Sequence, residues 1–261
     1  RPRKRFGQNF LHDQQVIARI HGAIAARPGQ RIIEIGPGHG ALTRALVDSG
    51  ADITAVEIDR DMIPHLLLHF GLKPNFHLEQ ADALRTDFAS FSTSDQPLRI
   101  VGNLPYNIST PLIFHLLQHE SLISDMHFML QKEVVERMAA APDSGAYGRL
   151  SVMVQYHCEV TPLFQVPPGA FRPAPKVDSA IVRLTPRPYP HAQTDNTRVL
   201  GKVVNAAFQQ RRKTLRNALS GLITEQNLKS LGIDSKIRPQ NLSIADFIRI
   251  SNRVNGANDD I

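Results

Sequence analysis

Residues 31–50 read RIIEIGPGHGALTRALVDSG. An apolar run, RIIEIG, breaks into glycine at positions 36, 38 and 40, and an amphipathic run, ALTRALVDSG, follows at once. The first run predicts a buried strand over 31–36. The second predicts a helix over 41–50 that closes at Gly50. The same alternation continues downstream. DITAVEID (52–59), NFHLEQAD (75–82), LRIVGN (98–103) and DMHFMLQ (125–131) read as strands. RDMIPHLLLHF (60–70) reads as a helix with Pro64 near its first turn, and KEVVERMAAA (132–141) as another. STPLIFHLLQHE (109–120) starts like a helix, with Ser109 or Thr110 as cap and Pro111 in the first turn. Upstream, Val16, Ile17, Ile20 and Ile24 have helical spacing behind Asp13, which suits a cap.

Strands alternating with helices predict a parallel, doubly wound α/β sheet of the Rossmann-like kind. After Tyr147 the text changes. Prolines punctuate two alternating strands, near 158–166 and 177–185, which are expected to add an antiparallel pair at the sheet edge. From about Thr194 the pattern is helical to the end. Pro186, Pro188 and Pro190 mark a linker. The expected division is a Rossmann-like domain over 1–190 and a small, all-helical C-terminal domain over 191–261.

The chain has 261 residues, of which 42% are hydrophobic, enough for a packed core and an appendage. No apolar run reaches the roughly 20 residues of a membrane helix, and RPRKRFGQNF lacks the apolar core of a signal peptide. Cys158 is the single cysteine, so no internal disulfide forms. These features lead to the expectation of a cytoplasmic protein without a membrane partner. Formal charge is +6 with pI near 9.7, and the excess is clustered. Arg3, Lys4 and Arg5 crowd the start, with Arg1 beside them. Arg198, Lys202, Arg211, Arg212, Lys213 and Arg216 follow one another with no acid between 198 and 219. One cluster suits a solvated helix face, whereas two suit a polyanion such as RNA, because each neutralised phosphate releases counterions.

The turn after the first strand, Glu34 to Gly40, allows backbone to approach a ligand closely at Gly36 and Gly38. It is not a P-loop, since no Gly-Lys-Ser/Thr follows, although Gly36, Gly38 and Ala41 satisfy a loose dinucleotide fingerprint. Glu57 ends the next strand about 20 residues on, placed for ribose hydroxyls, and Asp82 ends the third, placed for an adenine amine. Plain strand capping is the alternative for both. The ribose contact alone does not separate NAD from other nucleosides. A proline-containing turn built for a compact ligand without pyrophosphate favours S-adenosylmethionine as cofactor.

VGNLPYNIST (101–110) leaves the fourth strand by placing an amide, a proline and an aromatic ring together. An adenine N6 amine is a poor nucleophile, its lone pair being conjugated into the ring. The Asn103 side-chain oxygen and the Leu104 carbonyl are suited to accept its two hydrogens. Pro105 removes a donor and stiffens the turn, and Tyr106 can stack on a base taken out of its helix. The alternative is a proline turn with an incidental tyrosine.

In this order E-I-G-P-G-H-G, V-E-I-D, Q-A-D-A-L and N-L-P-Y-N-I-S-T resemble the rRNA adenine N6,N6-dimethyltransferase family, in its bacterial small-subunit branch. The leucine of N-L-P-Y separates it from the N-P-P-Y of DNA adenine and protein glutamine methyltransferases. R-K-R-F-G-Q-N-F-L-H-D at the start and F-R-P-A-P-K-V-D-S at 171–179 are similar to that family's segments too. The resemblance spans residues 3 to about 219. It implies dimethylation of two adjacent adenines in a 16S rRNA hairpin of the small ribosomal subunit; a monomer without a metal is the expectation beside it. It also implies that Asn9 and Leu11 touch the cofactor and that Gly36 and Gly38 line its methionine portion. Glu57 with Ile58 would serve the ribose, and Asp82 with Ala83 the adenine. Asn103 would lie between cofactor and target, and Phe171 would stack on the adenine opposite Tyr106, where the residues alone suggest a core aromatic. Arg3, Lys4, Arg5, Arg211, Arg212, Lys213 and Arg216 are the expected RNA contacts.

His65/His69 and His115/His119 have metal-ligand spacing, but no glutamate follows the first histidine and no cysteines assist, so neither pair is expected to bind zinc. The rival functions are a large-subunit rRNA methyltransferase conferring antibiotic resistance, a non-catalytic assembly or transcription factor on the same fold, and, more distantly, a dehydrogenase.

Overall fold

The computed structural model describes residues 8–258. The elements are β1 (Phe10–Leu11), α1 (Gln14–Ile24), β2 (Arg31–Ile35), α2 (Ala41–Asp48), β3 (Asp52–Glu57), α3 (Ile63–Phe70), β4 (Phe76–Gln80), β5 (Leu98–Asn103), α4 (Ser109–Leu117), β6 (Ile123–Gln131), α5 (Lys132–Ala139), α6 (Arg149–His157), β7 (Cys158–Val166), β8 (Phe171–Arg172), β9 (Ser179–Pro186), α7 (Thr197–Gln209), α8 (Leu215–Ala218), α9 (Glu225–Ser230) and α10 (Ile244–Asn258). Seven strands form one sheet in the order β4-β3-β2-β5-β6-β9-β7, and β1 pairs with β8 in a separate two-stranded ribbon. The pairs from β4 to β6 are parallel, and β9 joins β6 antiparallel. The α/β fold and the added edge strands are therefore as the alternation predicts.

Burial explains the order. Ile32 and Ile33 point to opposite faces of β2 and neither has exposed surface, so helices cover both faces. Ile32 joins a core with Ile20 and Ile24 of α1, Leu46 of α2 and Leu66 and Phe70 of α3. Asp13 does cap α1, accepting the amides of Gln15 and Val16.

Among the differences from expectation, two boundaries and one cap have a clear local reason. The strand expected over 52–59 stops at Glu57, because the Glu57 carboxylate takes the Asp59 amide and bends the chain. The helix expected from 60 starts at Ile63, since Asp59 takes the Asp61 amide in a turn first. Neither Ser109 nor Thr110 caps α4. The Ser109 hydroxyl instead donates to the Tyr106 carbonyl, and Pro105 accepts the Ile108 and Ser109 amides. No element was expected over 149–157, where α6 lies. Ser151, Val152, Met153 and Val154 are all buried there, so the run shows no helical period.

The residues divide into two compact units. One holds the described residues up to Val135 with Val160–Pro186, and the other holds Glu136–Glu159 with those from Arg187 on. The second unit thus resumes near the expected linker, but it also takes in α6 and the second half of α5. Within it Tyr147 is fully buried and its hydroxyl donates to the Leu242 carbonyl at 2.7 Å. α10 and α6 both pack on α7 there. No described helix is long and apolar enough to cross a membrane.

Gly40 joins the glycine turn to α2 at φ 81°, and a Cβ there would meet the buried Phe70 ring at 2.5 Å. Gly40→Ala should therefore cost about 2 kcal/mol of unfolding free energy, by left-handed strain plus core displacement. Urea titration of both proteins measures it, and equal midpoints would contradict the packing.

Candidate active site at the carboxyl edge of the sheet

The strand order reverses between β2 and β5. β3 flanks β2 on one side and β5 on the other, all parallel. In open α/β sheets ligands bind in the crevice beyond the strand ends at such a reversal. Ile35 is in register with Gly102, so Gly36 and Asn103 leave the sheet as neighbours. Gly36 has φ 66°, and a Cβ on it would stand 3.9 Å from the Asn103 carbonyl oxygen. A cavity of about 260 Å³ opens there, within the first unit.

One part of the lining is the bare backbone of the glycine turn. Gly38 has φ 58°, and a Cβ there would lie 3.0 Å from the Phe10 ring. That ring also packs on His39, with centroids 4.2 Å apart. Phe10 belongs to β1, whose residue Leu11 is in register with Phe171 of β8, and the His12 amide donates to the Ala170 carbonyl at 3.0 Å. The N-terminal strand is therefore fastened on both sides of the cavity.

Carboxylates, buried at Glu57 and half-buried at Asp82, form a second part. Glu57 Oε2 accepts the Gly38 amide at 3.2 Å and Oε1 accepts the Asp59 amide at 2.9 Å. Burial raises its pKa against these backbone donors. Asp82 Oδ1 accepts the Leu84 amide at 3.0 Å and caps a short 3₁₀ turn. Strand-end capping is real for both, and both also line the cavity, as do their neighbours Ile58 and Ala83. A third carboxylate, Glu34, opens the glycine turn in the sequence but carries no expected role of its own. It is buried, lines the same cavity and accepts the Thr43 hydroxyl at 2.6 Å. Burial pushes it up to about 7, the Thr43 hydroxyl opposing and the Glu57 charge adding. Its place in E-I-G-P-G was the available signal, but periodicity treats a lone polar residue inside a strand as noise.

The third part is the turn after β5. Asn103 Nδ2 donates to the Asn9 carbonyl at 3.1 Å, which fixes the amide's rotation and turns its oxygen the other way. The Leu104 amide donates to Met129, so Leu104 leaves the sheet still tied to β6. Leu104, Pro105 and Tyr106 line the cavity, and the Tyr106 ring is 66% exposed. Phe171 behaves differently: it is 3% exposed and belongs to the core with Ile20, Met129 and Ile181 while forming cavity wall. Asn9, Leu11, Gly36 and Gly38 complete the expected set at the cavity. Gln8, Phe10 and the exposed Val177, from the two family-like segments at 3–13 and 171–179, join them without an individual role having been expected.

The expected RNA contacts are distributed otherwise. Arg3, Lys4 and Arg5 lie outside the described residues. Arg211 to Lys213 sit in the turn between α7 and α8, not on a helix face. Arg211 donates to the Gly145 carbonyl, and Arg216 pairs with Glu225 at 3.7 Å. Arg212 and Lys213 are exposed. Among the described residues no group of three metal-ligating side chains occurs.

Residues 1–256 match the ribosomal RNA adenine dimethylase family. The chain belongs to that family. A relative from Pseudomonas aeruginosa, named ribosomal RNA small subunit methyltransferase A, is 59% identical over 254 residues, covering 97% of this chain and 95% of its own. The crystal structure of a dimethyladenosine transferase from Plasmodium falciparum has TM-score 0.82 at 27% identity, over 95% of this chain and 98% of that one. That of a 23S rRNA methyltransferase, ErmE, has TM-score 0.70 at 28% identity, over 95% and 100%. The resemblance carried by the motifs is borne out, and it extends past residue 219 into the C-terminal helices.

In this dimethylase, Gly38→Ala should push Phe10 off the turn and loosen the β1–β8 ribbon. Amide exchange at His12 should accelerate by about tenfold or more, as local opening becomes easier. Unchanged exchange would show that Phe10 does not hold the ribbon.

Proposed function

We infer that the chain transfers methyl groups from S-adenosylmethionine to adenine N6 of small-subunit (16S) rRNA, giving N6,N6-dimethyladenosine during ribosome assembly. The observation that carries the reading is the Asn103–Tyr106 turn at the edge of a cavity walled by glycine backbone and buried carboxylates. Three carboxylates line that cavity, and among its described lining residues there is no lysine or arginine. Such a wall suits a cationic nucleoside and leaves a pyrophosphate without counter-charge, which weighs against the dehydrogenase reading. Glu57 with Ile58 would hold the ribose and Asp82 with Ala83 the adenine. Gly36 and Gly38, with Asn9 and Leu11, would hold the methionine portion. S-adenosylmethionine supplies an electrophilic methyl on a sulfonium, so the chemistry needs no metal ion.

The chain's own task is to hold the amine. Asn103 gives its N–H to Asn9 and keeps its oxygen for one N6 hydrogen, and the Leu104 carbonyl takes the other. These acceptors favour the charge that develops on nitrogen as it is methylated. Tyr106, exposed at the edge, offers a stacking face to an adenine taken out of its helix. Phe171 acts from within the wall, as the face against which the base closes. The N6 proton is acidic once nitrogen carries the extra bond and passes to water. On the helical unit, Arg212 and Lys213 take phosphate contacts, together with Arg3, Lys4 and Arg5, while Arg211 and Arg216 brace the turn between α7 and α8. The protein acts as a monomer on two adjacent adenines of one hairpin, in the cytoplasm. The large-subunit alternative is weaker, because the small-subunit relative is 59% identical and the 23S rRNA methyltransferase 28%.

Purified small subunits lacking adenine dimethylation should accept radiolabelled methyl groups on adenine N6, with large subunits as control. Asn103→Ala should lower kcat by about 10²–10³-fold, the cost of one transition-state acceptor, while subunit binding persists. Label on large subunits alone would reverse the choice of substrate. Binding without any label would leave the assembly-factor reading standing.

Reversing Arg212 and Lys213 together to glutamate should weaken RNA binding about tenfold or more and lower the slope of log affinity against log salt by about 2. An unchanged slope would remove both residues from the RNA interface.

A further inference from the structure

We infer that Glu34 makes the cavity tell methyl donor from demethylated product by charge, and that donor binding drives a proton off its carboxyl. The inference rests on the S-adenosylmethionine reading above and adds a residue and a proton to it.

Glu34 is not an ordinary strand residue. The residue is 3% exposed and lines the cavity, and its carboxyl accepts from one neutral donor, the Thr43 hydroxyl on α2. A buried carboxylate normally keeps its charge by facing a cation or several amides. β2 brings none. The neighbouring strand positions are Ala55 on β3 and Val101 on β5, both apolar. The charge that acts on Glu34 is that of Glu57, and it is of the same sign. From the other elements around the cavity the titratable groups are Asp82 after β4, His39 in the glycine turn and His127 on β6. His127 is held neutral, pushed down to about 4 by burial. Nothing in this set compensates a Glu34 anion, and its pKa accordingly stands near 7.

A ligand that brings a positive charge supplies what the protein withholds. S-adenosylmethionine carries one positive charge more than S-adenosylhomocysteine, since both share the ammonium and the carboxylate and only the donor has the sulfonium. The donor therefore lowers the Glu34 pKa further than the product does. The sign follows from linkage: the free group binds more protons than the donor complex, so donor affinity rises with pH up to the free pKa and is lost below the bound one. Above neutrality the ionised carboxylate prefers donor to product. In acid that preference fades.

The test is calorimetry on the whole protein with S-adenosylmethionine and S-adenosylhomocysteine from pH 5.5 to 8.5. Buffers of different ionisation enthalpy count the protons. Donor binding near pH 7 should release a fraction of a proton, more than product binding does. The ratio of product Kd to donor Kd should rise about tenfold across the range, the size expected for a charge pair about 12 Å apart at an effective dielectric near 20. Glu34→Gln, which keeps an acceptor for Thr43, should hold the ratio flat within about twofold. Thr43→Val removes the donor that favours the anion, so the wild-type midpoint should move to higher pH. A ratio independent of pH in the wild type, or pH dependence retained in Glu34→Gln, overturns the assignment, as does an unmoved midpoint in Thr43→Val. Absence of any S-adenosylmethionine binding would overturn the cofactor reading as well, whereas tight but pH-independent binding overturns only the role of Glu34.

Discussion

The register of β2 against β5 is the constraint on which the site depends. Pairing Ile35 with Gly102 brings two turns of different chemistry out of the sheet side by side. One is glycine backbone and the other is Asn103 to Tyr106. A slip by two residues would keep the same faces buried and still separate Gly36 from Asn103 by about 7 Å. Apolar packing fixes the alternation but not the slip. Gly102 helps set it: a Cβ there would meet the Ile35 carbonyl at 2.8 Å. The closeness of the two strands at this point is thus bound to the absence of a side chain immediately before Asn103.

Around that junction the protein concentrates negative charge where it is costly. Glu34 and Glu57 are 3% and 4% exposed and lie on adjacent strands. Glu57 is partly compensated, by the amides of Gly38 and Asp59, and the same bonds hold the glycine turn in shape. Glu34 has the Thr43 hydroxyl alone. The two carboxylates therefore differ in kind. One is a structural acceptor that remains able to meet a hydroxyl, and the other is a group whose ionisation waits for a cation.

Much of this was legible in the sequence, for definite reasons. RIIEIG, DITAVE and LRIVGN are buried on both faces, so their apolar runs announce a parallel sheet, and Gly36, Gly38 and Asn103 follow at their ends by topology alone. The motifs then supplied the family. What stayed hidden depends on long-range geometry. The β1–β8 ribbon is two residues on each side, too short to leave a period, and Phe171 reads alike as stacking ring or core ring until its burial is known. α6 escaped because consecutive burial erases helical periodicity. The 211–216 cluster reads as one basic patch. Yet Arg211 and Arg216 are engaged by a carbonyl and a carboxylate, while Arg212 and Lys213 stand exposed in the turn.

The N-terminal strand gives the clearest case of chemistry set by tertiary structure. Asn103 and Asn9 are separated by 94 residues, yet the Asn9 carbonyl decides which end of the Asn103 amide it holds and which is left to the cavity. An amide is symmetric in shape and opposite in polarity at its two ends, so its rotation cannot be settled by packing. A carbonyl can settle it, because it accepts only the N–H₂ end. The same strand places Phe10 on Gly38 and pairs with the strand that carries Phe171. The glycine turn, the Asn103 amide and the Phe171 ring are therefore referenced to one short segment. Displacing that segment would misalign all three together, which makes it the part of the site where a small movement has the largest chemical consequence.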